Sequence, residues 1–223
     1  ELATLEQKQS ELALNYSNNL LKHISDLIER NYGLSCTKIQ EKGDFLEQSF
    51  NLLNEDDVVI IGRVGEQAAE KNKPIGSNVD NFIRGVNCTV ITVSEHFEVP
   101  KQFIFAYEYS PTCQKMMQRI AQSDLLKKLQ CHLLYVGDHP EMLAEPTKFL
   151  QAAGLDVVAA YRYGDVAQNI LEYQREHDIG LIVLGAFSHS KIHQFFLGSI
   201  TTTIFRNANV PLLVAKLCIL LHI

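Results

Sequence analysis

At 223 residues, with 46% hydrophobic and 21% charged residues, the chain can bury one large or two small cores and lies outside the disordered class. Its formal net charge is −6 and no Lys/Arg-rich run stands out, which disfavours a broad nucleic-acid-binding face. Five scattered cysteines without a CxxC pair fit reduced thiols in a cytoplasm better than a disulfide framework, and the longest apolar run, residues 210–223, is broken by Pro211, Lys216 and His222 and is too short to span a bilayer.

The first predicted element is a long helix carrying the stripe Leu20, Leu21, Ile24, Leu27 and Ile28 and stopping near Asn31 to Gly33. Asp44 stands where an N-cap belongs, with Phe45, Leu46, Phe50 and Leu53 following at helical spacing. Residues 58–61 are a continuous apolar run ending at a glycine, as expected of a parallel strand buried on both faces, and residues 88–93 form the next strand. A short linker, Glu98, Val99, Pro100 and Lys101, leads into a second series. Strands are expected at 103–107, 131–136, 156–163 and 181–184, with a last strand at 210–215. Helices are expected at 111–128, 141–153, 166–177 (capped by Asp165) and after Gly198. Five strands alternating with four helices call for a doubly wound parallel sheet.

An internal repeat relates the two series. Gly62, Arg63, Val64 and Gly65, then ten residues, then Gly76 and Ser77, correspond to Gly185, Ala186, Phe187 and Ser188, then nine residues, then Gly198 and Ser199. Arg84 and Asn87 match Arg206 and Asn209, Gly43-Asp44 matches Gly164-Asp165, and Gly33 matches Gly154. These anchors share an offset close to 122 residues. The expected organisation is two α/β units, 1–97 and 98–223. The second is complete, and the first holds only its last three strands, lacking the N-terminal strand, helix and strand. Those elements amount to about 40 to 60 residues at usual lengths, so the natural protein is expected to carry them ahead of Glu1.

Gly62 and Gly185 end strands, where ligands of parallel sheets sit. Glycine lets a backbone approach a phosphate, and a Gly-Ser opening a helix offers free amides, a hydroxyl and the positive end of the dipole. Strands that merely end and helices that merely open would give the same residues. The pattern is neither a Walker loop nor a dinucleotide fingerprint.

Glycine, two residues, glycine, about nine residues, glycine and Ser/Thr between the fourth strand and fourth helix of a five-stranded unit resembles the nucleotide-binding signature of the universal stress protein family. The flanking words, Leu197-Gly198-Ser199 leading to Arg206 and Pro211, and Ile75-Gly76-Ser77-Asn78, agree. The resemblance covers residues 34–216 and its form is that of the tandem bacterial members. It implies two universal stress protein-like units of the wider adenine nucleotide α-hydrolase-like architecture, associated through their terminal strands as an intrachain pseudo-dimer, with homodimerisation left open. It also implies an ATP-binding regulatory protein of the stress response, cytoplasmic and not membrane-bound. The alternative is a scaffold with degenerate sites acting through protein partners. By this resemblance Gly62, Gly65, Gly76 and Ser77 in the first unit, and Gly185, Ser188, Gly198 and Ser199 in the second, are the candidate phosphate and ribose residues. Glu108, at the end of the second unit's first strand, occupies the adenine-facing position. Ser188 replaces a glycine and Tyr109 stands where the family has a small residue, so ATP is expected at the first unit before the second, provided the full-length protein supplies the first unit's missing strand, whose adenine-facing acidic residue has no counterpart here.

Ligase motifs of the same architecture, His-Ile-Gly-His and Ser-Gly-Gly-x-Asp-Ser, do not occur, so no enzyme is expected, slow ATP hydrolysis being left open. His189 and His193 are four apart but no third ligand follows from spacing, and metal binding is not expected. Cys113, in a helix's first turn, reads as an inert buried thiol. The apolar tail at 217–223 needs covering or frays.

Overall fold

The computed structural model describes residues 2–63, 77–94, 97–185 and 198–215. The chain divides into two compact units, Glu1–Gln48 and Ser49–Ile223.

The first unit is dominated by helix α1, Leu2–Tyr32. Gly33, at φ 67°, closes it in the left-handed conformation that glycine adopts without strain, donating to Glu29 O at 2.8 Å. The apolar stripe expected on α1 exists, and Leu20, Ile24 and Leu27 on it are exposed. Asp44 caps α2, Phe45–Leu52, its Oδ1 accepting from the Leu46 and Glu47 amides.

The second unit is a seven-stranded sheet with helices on both faces. Its strands are β1 (Val58–Gly62), β2 (Thr89–Val93), β3 (Gln102–Tyr107), β4 (Gln130–Val136), β5 (Val157–Arg162), β6 (Leu181–Gly185) and β7 (Leu212–Ala215), in the order β1-β2-β7-β6-β3-β4-β5. Every neighbouring pair is parallel except β2 with β7. That antiparallel pair joins the terminal strands of the two repeats, in the register Val90–Val214 and Ile91–Leu213. The remaining helices are α3 (Ser77–Gly85), α4 (Pro111–Gln122), α5 (Ala144–Ala152), α6 (Val166–Glu176) and α7 (Ser199–Asn207). Cys113, Met116 and Ile120 of α4 and Leu150 of α5 pack on Phe103, Phe105, Leu133, Val183 and Leu213 of one sheet face. The alternate residues Ile104, Ile182 and Leu184 are equally buried on the other face, where α6 packs against α7.

Four expectations change in detail. The helix expected over 111–128 stops at Gln122, because Ser123 turns the chain: its amide donates to Ile120 O and its hydroxyl accepts from Leu126 N, leaving only a short 3₁₀ turn at Leu126–Lys128. The helix expected over 141–153 begins as a 3₁₀ turn, Pro140–Leu143, before α5, whose first turn accommodates Pro146 because no intrahelical donor is needed there. Residues 33–42, where the first repeat's third strand belongs, have no regular structure, and Leu34 and Ile39 are exposed. In the second repeat the equivalent strand, β5, pairs with β4, and among the described residues the first repeat has no strand corresponding to β4; an unpaired segment leaves its backbone groups to water. Finally, β1 is a sheet edge, with Val58 59% and Ile60 69% exposed, whereas β6 is buried throughout.

One buried polar group sits within β4. His132 Nδ1 lies 2.9 Å from Tyr173 Oη, and Nε2 lies 3.0 Å from Gln102 Oε1. Burial lowers its pKa, His177 adds to that, and Asp156 opposes it.

Candidate functional site

Because β1 and β2 run parallel, β2 antiparallel to β7, and β7 parallel to β6, the carboxyl ends of β1 and β6 lie at opposite ends of the sheet. Gly62 and Gly185 are therefore not brought together, and the two glycine signatures open onto two separate places. Of the candidate residues, Gly62, Ser77, Glu108, Gly185, Gly198 and Ser199 are described, while Gly65, Gly76 and Ser188 lie outside the described residues, as do His189, His193 and the tail.

At the first place Gly62 is the last residue of β1, opposite Val93 of β2. Among the described residues, a Cβ built on it would meet no atom within 4 Å. Helix α3 starts at Ser77, and its first amides have no intrahelical acceptors. Asp80 in the first turn would oppose an anion, but Arg84 Nε holds its carboxylate at 3.0 Å, neutralising it along the helix. Arg84 also lies 3.5 Å from Thr202 Oγ1 on α7.

Arg63, directly after Gly62, turns inward. Its amide donates to Val93 O at 2.9 Å, and its side chain is 5% exposed. The guanidinium donates through Nη1 to Ala208 O and through Nη2 to Phe205 O, and it stands 5.5 Å over the Phe205 ring. These carbonyls lie at the C-terminal end of α7, where acceptors lack intrahelical donors and a cation is favoured. Burial lowers the Arg63 pKa. The sequence gives a sign of this that repeat alignment could have flagged: a cation stands where the second repeat has Ala186. Among the described residues, Arg63 Nε and the buried hydroxyls of Thr92 and Thr201 have no hydrogen-bond partner.

At the second place the turn from β3 to α4 is tightly tied. Ser110 N donates to Glu108 O at 2.8 Å, and Ser110 Oγ caps α4 by accepting from Cys113 N at 3.1 Å. Cys113 Sγ accepts from Glu108 N at 3.3 Å and faces Ala106 O at 3.8 Å. Burial pushes its thiol up to about 12, against a smaller lowering by the Glu108 amide that donates to it, so it is the inert thiol expected. Burial likewise raises Tyr107 to about 12. Tyr109 is 63% exposed beside this turn. A Cβ on Gly185 would lie 3.9 Å from Thr112 Cγ2, so the end of β6 borders the first turn of α4. Gly198 is the N-cap of α7 and offers no side chain. Among the described residues no three His, Cys, Asp or Glu side chains gather as a metal site.

A parallel five-stranded unit of order β5-β4-β3-β6-β7, with glycines at its open strand end and a second repeat joined antiparallel through its last strand, defines a class of doubly wound α/β proteins built as tandem pairs. The sequence pattern of the universal stress protein family matches residues 100–216, just over half of the chain, and the chain belongs to that family. It is 29% identical over 218 residues to universal stress protein Slr1230 of Synechocystis, covering 95% of this chain and 73% of that protein. The fold is similar to that of a universal stress protein from Archaeoglobus fulgidus, with a TM-score of 0.75 at 18% identity over 92% of this chain and 78% of the other. It is also similar to that of the functionally unknown protein PA1789 from Pseudomonas aeruginosa, with a TM-score of 0.62 at 12% identity over 90% of this chain and 78% of the other. Among the described residues no helix is long and apolar enough to cross a membrane.

Proposed function

We propose that the protein is an adenine-nucleotide-responsive regulator of the bacterial stress response, built from repeat units 1–97 and 98–223, working in the cytoplasm and holding ATP at the first signature. The observation carrying this reading is the backbone at Gly62, where a Cβ would meet no atom of the described residues within 4 Å, at the strand end whose signature continues to the N-terminus of α3. That arrangement fits a phosphate chain: the sequence places side-chain-free residues at 62, 65 and 76, and Ser77 opens a helix whose dipole favours anions. When bound, the nucleotide supplies a polyanion whose charge the backbone amides of these residues bind and orient. The second signature fits less well, with Ser188 for a glycine, the exposed Tyr109 beside the turn and the Thr112 methyl close to Gly185.

A second reading, a scaffold acting through protein partners, is favoured at the second signature by Ser188 in place of a glycine and by the exposed Tyr109. An equilibrium ATP titration by calorimetry separates the two. Binding that weakens by a factor of ten or more, about 1.4 kcal/mol, in Gly65→Val and hardly at all in Ser188→Val supports the first signature. Normal binding by Gly65→Val with loss in the Ser188 variant moves the site to the second unit. No heat at any ATP concentration leaves the scaffold.

A further inference from the structure

The two signatures open at opposite ends of one sheet, yet a single helix runs between them. Gly198 and Ser199, of the second signature, begin α7, and its far end, about 13 Å away at 1.5 Å per residue, accepts two hydrogen bonds from Arg63, of the first signature. Arg63 is in turn fixed to β2 by its amide and adjoins Gly62. A buried guanidinium with two forked donors on two helix-terminal carbonyls is a directional link that neither a methyl group nor a single ammonium reproduces. Its removal strands those acceptors, since Ala208 N itself donates back to Ile204 O and Pro211 has no amide proton.

We propose that Arg63 is a positioning residue that couples the two signatures, holding the start of the first in register with the helix whose N-terminus belongs to the second. Occupation of either end by an anion then changes the order of the other through α7. In its nucleotide form this rests on the function proposed above, but the link itself does not.

The test is amide hydrogen exchange on the full chain, followed at Arg63 and over 199–208, in the wild type, Arg63→Met and Arg63→Lys, with Arg63→Lys serving where Arg63→Met fails to fold. With saturating ATP the wild type is expected to gain at least threefold protection at both segments, and the Arg63 variants at only one. Equal gains at both segments in the variants overturn the proposal. A lost carbonyl contact alone would lower basal protection but would not uncouple the two ATP responses. If the wild type binds no ATP, the proposed function fails, and the link is judged without nucleotide. Gly198→Asp, which adds a capping carboxylate at the N-terminus of α7, should raise protection of the Arg63 amide about twofold in the wild-type background and not in the Arg63 variants. No change in the wild-type background, or the same change in both, overturns the link.

Discussion

Replacing Gly62 with alanine separates what the strand end does for folding from what it does for binding. The position is the last of β1, it has no positive φ, and a methyl group there meets no atom of the described residues within 4 Å. In the folded state the substitution is therefore unobstructed, while the unfolded chain loses freedom, an effect of about 0.4–1 kcal/mol in favour of folding. For a unit of this size that raises the melting temperature by roughly 1–4 °C. The same methyl occupies the space through which a phosphate would reach the backbone. Crowding a fitted contact by one carbon costs about 1–3 kcal/mol, so the ATP dissociation constant should rise by a factor of about 5 to 150. The assays are a thermal melt and a calorimetric titration on the same preparation. ATP binding unchanged in Gly62→Ala would refute the assignment of phosphate to this strand end, and a melting temperature lowered by several degrees would refute the claim that the space is open.

Gly85→Ala, at the end of α3, would put a Cβ 2.4 Å from Phe50 Cζ, so it should destabilise by about 1–3 kcal/mol in denaturant unfolding. That loss should vanish when Phe50 is also alanine, and a cost that persists in the Phe50→Ala background would mean the ring is not the obstruction. His132, with its pKa lowered by burial, favours the unfolded state once protons bind there. Its contribution is complete above the unfolded value of about 6.5 and is lost as pH falls from there through the lower folded value. The unfolding free energy should therefore drop as pH falls below about 6.5 in the wild type, and His132→Gln should flatten that drop; an unchanged slope counts against the assignment.

The alternation of elements and the repeat were legible because both are local: glycines, caps and apolar runs recur at one offset, and the joining of terminal strands followed from the family resemblance those motifs carry. What was not legible depends on neighbours. Residues 58–62 and 181–185 read alike, yet β6 lies between two strands while β1 has only β2, so the same apolar letters are buried in one and exposed in the other. The segment 33–42 failed as a strand for the same reason, since a strand is defined by its pairing and not by its composition. His132 sat unremarked inside an apolar strand, because only the fold brings Tyr173 and Gln102 to its ring.

The two helices that follow the signatures show how one repeat yields two different ends. Gly85 of α3 and Asn207 of α7 occupy equivalent places, 122 residues apart. On α3 the Phe50 ring, stacked on Phe82 at 6.0 Å, presses so close to Gly85 that no side chain fits, and the helix end is closed by apolar packing. On α7 Asn207 Nδ2 donates back to Thr203 O at 2.8 Å, and the guanidinium of Arg63 takes the carbonyls of Phe205 and Ala208. Apolar closure is indifferent to charge at the opposite helix end. A cation at the C-terminus acts on the same dipole that an anion at the N-terminus would, and it does so from the other repeat's signature. The asymmetry between Arg63 and Ala186 thus gives the helix of the second repeat, and not that of the first, an electrostatic connection across the sheet.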